Sequence, residues 1–161
     1  MLKNRDITVP CEHCEKRATI YYDTDAKVKA CILYFHGGGL LFGSRNDLPE
    51  IHLHLLTENG YPIIAFDYPL APSAKLDLIL EDVCASVNHF IGHLPLYLEE
   101  KAEGKDALPY FLWGRSAGAY LCLLAAAHGK TDKKPVGILS YYGYGFLCDG
   151  WFLTPSNYYN T

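Results

Sequence analysis

Apolar and polar positions along the chain alternate between two periods. Four short segments are apolar almost throughout: Ala30 to Phe35, Pro62 to Asp67, Tyr110 to Trp113 and Val136 to Tyr142. Continuous runs of this length, rich in Ile, Val and aromatic residues, predict strands buried on both faces. Between them lie segments of helical period. Leu48 to Glu58 is closed by Asn59-Gly60, a helix stop signal. Leu76, Ile79, Leu80, Val83, Val87, Phe90, Ile91 and Leu94 share one helical face, and Asp77, Glu81, Asp82, Asn88 and His89 share the other. The acids of that second face read as solvated residues, not as a catalytic pair. Ala119 to Ala127 is a run of strong helix formers without Pro or Gly. Asp6 to Pro10 and Arg17 to Asp23 read as an opening hairpin, and Glu99 to Lys105 as a charged surface segment. Strands alternating with helices predict an α/β fold, a mostly parallel sheet with helices on both faces. No repeat, low-complexity tract or interdomain linker interrupts residues 1–161, which read as a single, partial domain.

The sharpest signal lies at one strand-to-helix junction. Gly114-Arg115-Ser116-Ala117-Gly118 reads G-x-S-x-G, after the apolar strand and before the alanine-rich helix. In that context the pattern predicts a nucleophile elbow, with Ser116 in a strained backbone conformation and its Oγ presented at a helix N-terminus. Gly114 and Gly118 are expected where a Cβ would strike the neighbouring strand or helix. The helix end favours developing negative charge. A plain turn carrying an exposed serine is the alternative.

A second run supports the elbow. His36-Gly37-Gly38-Gly39 leaves the strand Ala30 to Phe35. Its backbone N–H groups, unobstructed by side chains, can converge on a carbonyl oxygen as it becomes an oxyanion. The expected donors are the N–H groups of Gly38, Gly39 and Ala117. His36 and Gly37 are expected to shape the loop, with His36 structural and not the catalytic base. A phosphate cradle would need a Lys-Ser/Thr pair or a G-x-G-x-x-G spacing, and the chain has neither.

Composition narrows the rest. Half of the residues are hydrophobic and 20 % charged, which excludes a disordered chain. A net charge of -4 and no basic stripe argue against a nucleic-acid surface. No stretch approaches the ~20 apolar residues of a membrane span. The opening residues carry no signal-peptide pattern, so the cytoplasm is the default location. Cys11-Glu12-His13-Cys14 is a C-x-x-C without a second ligand pair; it reads as turn residues, with a metal or redox site as the alternative. Cys31, Cys84, Cys122 and Cys148 are scattered singly and read as small core residues. No metal or organic cofactor is expected.

Taken in order, these motifs resemble the α/β-hydrolase fold, and within it the esterase and lipase branch similar to hormone-sensitive lipase and bacterial acetyl esterases. His36 to Ser44 is similar to that branch's oxyanion loop. Asp67-Tyr68-Pro69-Leu70-Ala71-Pro72 resembles its D-Y-R-L-A-P segment, with Pro69 in place of the usual Arg and Ser73 where Glu is common. The resemblance covers roughly residues 17 to 145. It implies hydrolysis of a small carboxylic ester, with Ser116 as nucleophile and Asp67 helping to support the loop and elbow. It also implies a triad in the order Ser, acid, His. After Ser116 the only acids are Asp132 and Asp149 and the only histidine is His128, with no acid-then-His pair. His52 and His54 are expected in a surface helix. The expectation is an N-terminal portion that turns over little or no ester alone. A thioesterase or peptidase of the same fold, or a non-catalytic hydrolase relative, is the alternative. The strand Val136 to Tyr142 is expected to lie at a sheet edge open to self-association, unless the aromatic tail folds back to cover it. The aromatic segment Gly143 to Thr161 is expected either to lead into a pocket or lid or to be a connection whose packing partners lie downstream.

Overall fold

The computed structural model describes residues 1–9, 16–98, 108–145, 150 and 154. The chain opens with the antiparallel pair β1 (Leu2–Val9) and β2 (Lys16–Asp23). It continues through β3 (Cys31–Phe35), α1 (Glu50–Glu58), β4 (Ile63–Phe66), α2 (Leu76–Tyr97), β5 (Tyr110–Arg115), α3 (Ala117–His128) and β6 (Gly137–Tyr141). The six strands form one sheet in the order β1-β2-β4-β3-β5-β6. Strands β4, β3, β5 and β6 run parallel, and the opening hairpin joins antiparallel through β2 and β4.

The continuous apolar runs become the centre of this sheet for the predicted reason. Every residue of β3 and of β4 is buried. Alternate side chains of these strands enter two separate cores, one on each face. Leu33, Phe35, Ile64, Phe66 and Leu112 meet Ile79, Val83, Val87 and Phe90 of α2, and Leu121, Cys122 and Ala125 of α3. Ile32, Tyr34, Ile63, Ala65 and Trp113 meet Leu48 and Leu53 on the α1 side.

Several boundaries and faces differ from expectation. Helix α1 starts at Glu50 and not Leu48, because Pro49 holds the extended conformation before it (φ -61°, ψ 136°). Strand β6 ends at Tyr141, since Tyr142 turns to φ 43°. Asp82, assigned to the solvated face of α2, is 9 % exposed. It lies three residues after buried Ile79 and four before buried Ser86, so it flanks the core stripe of the helix. His52, expected on a surface helix, turns toward the sheet and packs edge-on to Trp113, ring centroids 5.6 Å apart. Cys31, Cys84 and Cys122 are free and buried, as expected of core residues. The C-x-x-C pair, Cys148, the Glu99–Lys105 segment and most of the aromatic segment after Gly145 lie outside the described residues.

Candidate active site

Parallel strands deliver their C-terminal ends to one side of the sheet, and two of those ends carry the motifs. Strands β3 and β5 are neighbours, with Phe35 opposite Gly114. The loop leaving β3 and the junction leaving β5 therefore start side by side.

Ser116 sits between β5 and α3 at φ 51°, ψ -116°. A non-glycine residue with positive φ is uncommon and costs of order 1–3 kcal/mol, so surrounding structure must hold it. Three contacts do so. Ser116 N–H donates to the Tyr141 carbonyl of β6 at 2.8 Å. Its own carbonyl accepts the N–H groups of Ala119 and Tyr120 at 3.0 and 3.2 Å. Close approach on both sides demands glycine. A Cβ on Gly114 would lie 2.2 Å from the Gly118 carbonyl carbon, and one on Gly118 would lie 2.0 Å from the Phe35 carbonyl oxygen. The helix that follows, α3, points its N-terminus at Ser116.

The glycine run lies directly against this turn. A Cβ on Gly37 would stand 3.2 Å from the Arg115 carbonyl oxygen and 3.4 Å from Ser116 Cβ. Gly38 at φ 107° and Gly39 at φ 62° take left-handed conformations, and Leu40 follows at φ 66°. The loop closes on itself where Leu41 and Phe42 N–H donate to the Gly38 carbonyl at 3.0 and 3.2 Å. His36 is buried with Nδ1 2.7 Å from the Gly37 carbonyl oxygen, and its ring stacks on Tyr68 at 4.2 Å. Tyr68 Oη donates to the His36 carbonyl at 2.8 Å. Burial pushes the Tyr68 hydroxyl pKa well above its ordinary range, so it stays a donor.

Asp67 acts on the loop through Arg45. Its carboxylate accepts the Arg45 backbone N–H at 2.9 Å and pairs with the Arg45 guanidinium, which also donates through Nε to Thr19 Oγ1 at 2.8 Å. The end of the glycine loop is thereby anchored to β2 and to the residue after β4. The sequence pattern singled out Asp67; the partner, Arg45, carried no signal of its own.

Ser116, Gly37, Gly38, Phe42, Gly43, Asp47, Arg115 and Tyr142 line one cleft of about 290 Å³. Phe42 and Gly43 fall within the loop run His36 to Ser44, whereas Asp47, Arg115 and Tyr142 carried no site signal in the sequence. Arg115, the variable position of G-x-S-x-G, donates through Nε to Tyr142 Oη at 2.6 Å and through Nη1 to the Asp47 carbonyl at 2.8 Å. The Asp47 carboxylate accepts from Tyr34 Oη at 2.6 Å. Desolvation, and then that carboxylate, drive the Tyr34 hydroxyl pKa far upward. Phe42 rounds off the rim. Only the motif frame around Arg115 could have flagged it.

Of the histidines, His36 packs under the loop that lines this cleft, and His13 lies outside the described residues. His128 is the last residue of α3, about 18 Å along the axis from Ser116 at 1.5 Å per residue. Asp132 lies in the exposed turn beyond it, its N–H donating to Asn88 Oδ1 at 2.8 Å. Asp149 is outside the described residues. Among the described residues no group of three or more His, Cys, Asp or Glu side chains is placed to hold a metal ion, and no helix is long and apolar enough to cross a membrane.

A parallel sheet bearing a strained strand–serine–helix junction beside a glycine loop defines a class of hydrolase-like folds. The chain belongs to the α/β hydrolase fold family, whose model matches residues 32–156. It is 32 % identical over 130 residues to an acetyl esterase of Salmonella typhi, covering 78 % of this chain and 38 % of that protein. It is 30 % identical over 133 residues to a non-reducing polyketide synthase of Penicillium brasilianum, covering 78 % of this chain and 5 % of the synthase. Among solved structures, an α/β hydrolase superfamily protein from Enterococcus faecalis superposes with a TM-score of 0.72 at 31 % identity, over 88 % of this chain and 47 % of that one. A Staphylococcus aureus protein of unknown function gives a TM-score of 0.73 at 33 % identity, over 98 % of this chain and 52 % of that one. The chain thus spans about half the length of these solved relatives and a smaller share of the curated ones. Esterase-like α/β hydrolases are the family it joins.

Proposed function

We propose that the chain carries the nucleophile and oxyanion half of a serine carboxylic ester hydrolase acting on small esters. The observation that supports this most is the left-handed Ser116 between β5 and α3, pressed against the Gly37–Gly39 loop. Ser116 Oγ attacks the acyl carbonyl, and the backbone N–H groups of Gly38, Gly39 and Ala117 take the negative charge that gathers on its oxygen. The tetrahedral species expels the alcohol and leaves an acyl-serine; water then adds, and the carboxylic acid departs with Ser116 restored. His36, Gly37, Gly114, Gly118 and Asp67 hold the loop and junction in register. No step requires a metal or organic cofactor. The likeness to an acetyl esterase supports a short acyl group. A cytoplasmic location fits three free, buried thiols.

Proton transfer to and from Ser116 needs a base with an orienting acid, and no acid-then-His pair follows Ser116 in this sequence. Residues 1–161 on their own are therefore expected to turn over esters poorly; losing the base costs about 10⁶ in turnover in a comparable serine hydrolase. The test is p-nitrophenyl acetate hydrolysis by the purified chain, by Ser116→Ala, and by both with added imidazole as a surrogate base. Low turnover that imidazole raises in the parent, above the Ser116→Ala and buffer controls, is expected. Imidazole-stimulated hydrolysis of equal size in Ser116→Ala would sink the nucleophile assignment. Ordinary esterase rates without imidazole, dependent on Ser116, would show that the chain already holds a base.

A further inference from the structure

We propose that Tyr142, held in place by Arg115, determines specificity at the Ser116 cleft, forming with Phe42 two aromatic walls that favour esters carrying a planar aryl group. This deepens the serine esterase reading and rests on it.

Phe42 and Tyr142 come from distant parts of the chain, yet both line the cleft that contains Ser116. Each is 68 % exposed. Two large aromatic rings left open to water beside a small cleft are apolar surface with something still to gain from a ligand.

Neither ring is on a loose tether. The backbone of Phe42 is bonded to Gly38, whose missing Cβ would otherwise lie 1.9 Å from the Phe42 carbonyl oxygen. Tyr142 is one of three non-glycine residues with positive φ among those described, the others being Leu40 and Ser116. All three lie at the same end of the sheet. The left-handed turn at Tyr142 is fixed on both flanks: Tyr141 accepts the Ser116 N–H, and a Cβ on Gly143 would lie 2.4 Å from Ala119 Cβ. Arg115 then sets the side chain. Its Nε–H donates to Tyr142 Oη at 2.6 Å, and its guanidinium carbon stands 5.8 Å from the ring centroid.

Charge argues for a neutral ligand. The Arg115 guanidinium lies 3.6 Å from the Asp47 carboxylate, and both line the cleft. An anionic substrate would meet Asp47 and a cationic one Arg115. Shape and polarisability argue for a planar one. A flat ring can stack on, or meet edge-on, an aromatic wall and gains more than an aliphatic ring of the same size. A cleft of about 290 Å³ is at the small end of ligand sites, suiting one ring and not an extended chain.

The test compares phenyl acetate with cyclohexyl acetate, titrated by ligand-observed NMR into the Ser116→Ala chain so that nothing is hydrolysed. Phenyl acetate is expected to bind about fivefold more tightly. Tyr142→Ala and Phe42→Ala should each bring that preference below about twofold. Arg115→Met should do the same, and combining it with Tyr142→Ala should add nothing further, because Arg115 acts through Tyr142. Phe42 lies on an exposed loop, so its variant serves even where a change at Tyr142 disturbs folding. Equal affinity for the two rings, a preference that survives loss of either wall, or no saturable binding of either ester would each overturn the proposal. An aryl preference without Ser116-dependent hydrolysis would remove the nucleophile reading alone. Imidazole-stimulated hydrolysis without aryl preference would remove this inference alone.

Discussion

Ser116 keeps its unusual backbone because two glycines leave space that no other residue could leave. Gly118 stands with the Phe35 and His36 carbonyl oxygens 2.0 and 2.5 Å from where a Cβ would be. Those atoms are backbone of a fully buried strand end and cannot rotate away. Gly118→Ala is therefore expected to destabilise the chain by about 3 kcal/mol or more, at the upper end of overpacking costs. Urea denaturation of the two proteins measures it; a loss below about 1 kcal/mol would mean that the junction yields more easily than its contacts imply. The buried thiols make a second residue-scale case. Burial pushes the Cys31 thiol up to about 12 and raises Cys84 and Cys122 as well. Since the thiolate is the reactive form, these three should resist a thiol reagent at neutral pH until the chain unfolds. Rapid labelling of Cys122 in native buffer, located by mass spectrometry, would contradict its place in the core. At this scale the sequence was readable where a residue type has one reason to be there. Gly114, Ser116 and Gly118 qualified. Arg45, Asp47 and Tyr142 did not, because their roles depend on partners 13 or more positions away.

Elements were legible through their hydrophobic period, and misread where period alone cannot settle a position. Each of the nine elements overlaps a predicted segment, with most ends moved by one or two residues, but β1 begins at Leu2, four residues before the expected Asp6, and α2 runs on to Tyr97. Helix α2 shows the limit. Asp82 and His89 were placed on its wet face, but the helix lies deep enough against the sheet to draw in residues flanking the core stripe. His89 is half-buried, its Nε2 2.9 Å from Tyr97 Oη and its ring stacked 4.4 Å from His93. Desolvation first, and the neighbouring His93 second, lower its pKa from 6.5. The neutral ring is thus the form the fold prefers. An unfolded chain takes up the proton near 6.5, and the folded one only at lower pH. The stability linked to His89 is present above the unfolded value and is lost as pH falls through the folded value. The urea midpoint should fall between about pH 7.5 and 5.5, and His89→Gln should shrink that fall. Equal falls in both proteins would assign the acid sensitivity to other groups.

At the scale of the whole molecule, the sheet formed by the described residues has one blunted edge and one without a neighbouring strand. Strand β1 closes its side with Lys3, Arg5 and Asp6, charges of the kind that discourage pairing with another chain. Strand β6 closes the other side with Gly137-Ile138-Leu139-Ser140-Tyr141, with no charge and no proline. Ile138 and Leu139 pack onto the two cores, while Ser140 and Tyr141 are exposed. Exposed Val136, Tyr142 and Tyr144 extend the apolar surface at its ends. Edge pairing draws on the backbone groups of β6, and nothing in its side chains opposes a second strand. Residues 1–161 are thus expected to self-associate through β6 at high concentration. The informative change is Ser140→Lys. Leu139 leans on the Trp113 cluster, so a lysine there would disturb the core as well as the edge, whereas Ser140 already faces solvent. Light scattering should show the parent growing in apparent mass with concentration and Ser140→Lys remaining nearer to monomer, with equal urea midpoints for the two. A parent that stays monomeric throughout, or association that Ser140→Lys leaves unchanged, would show that β6 is not the surface through which the molecules meet.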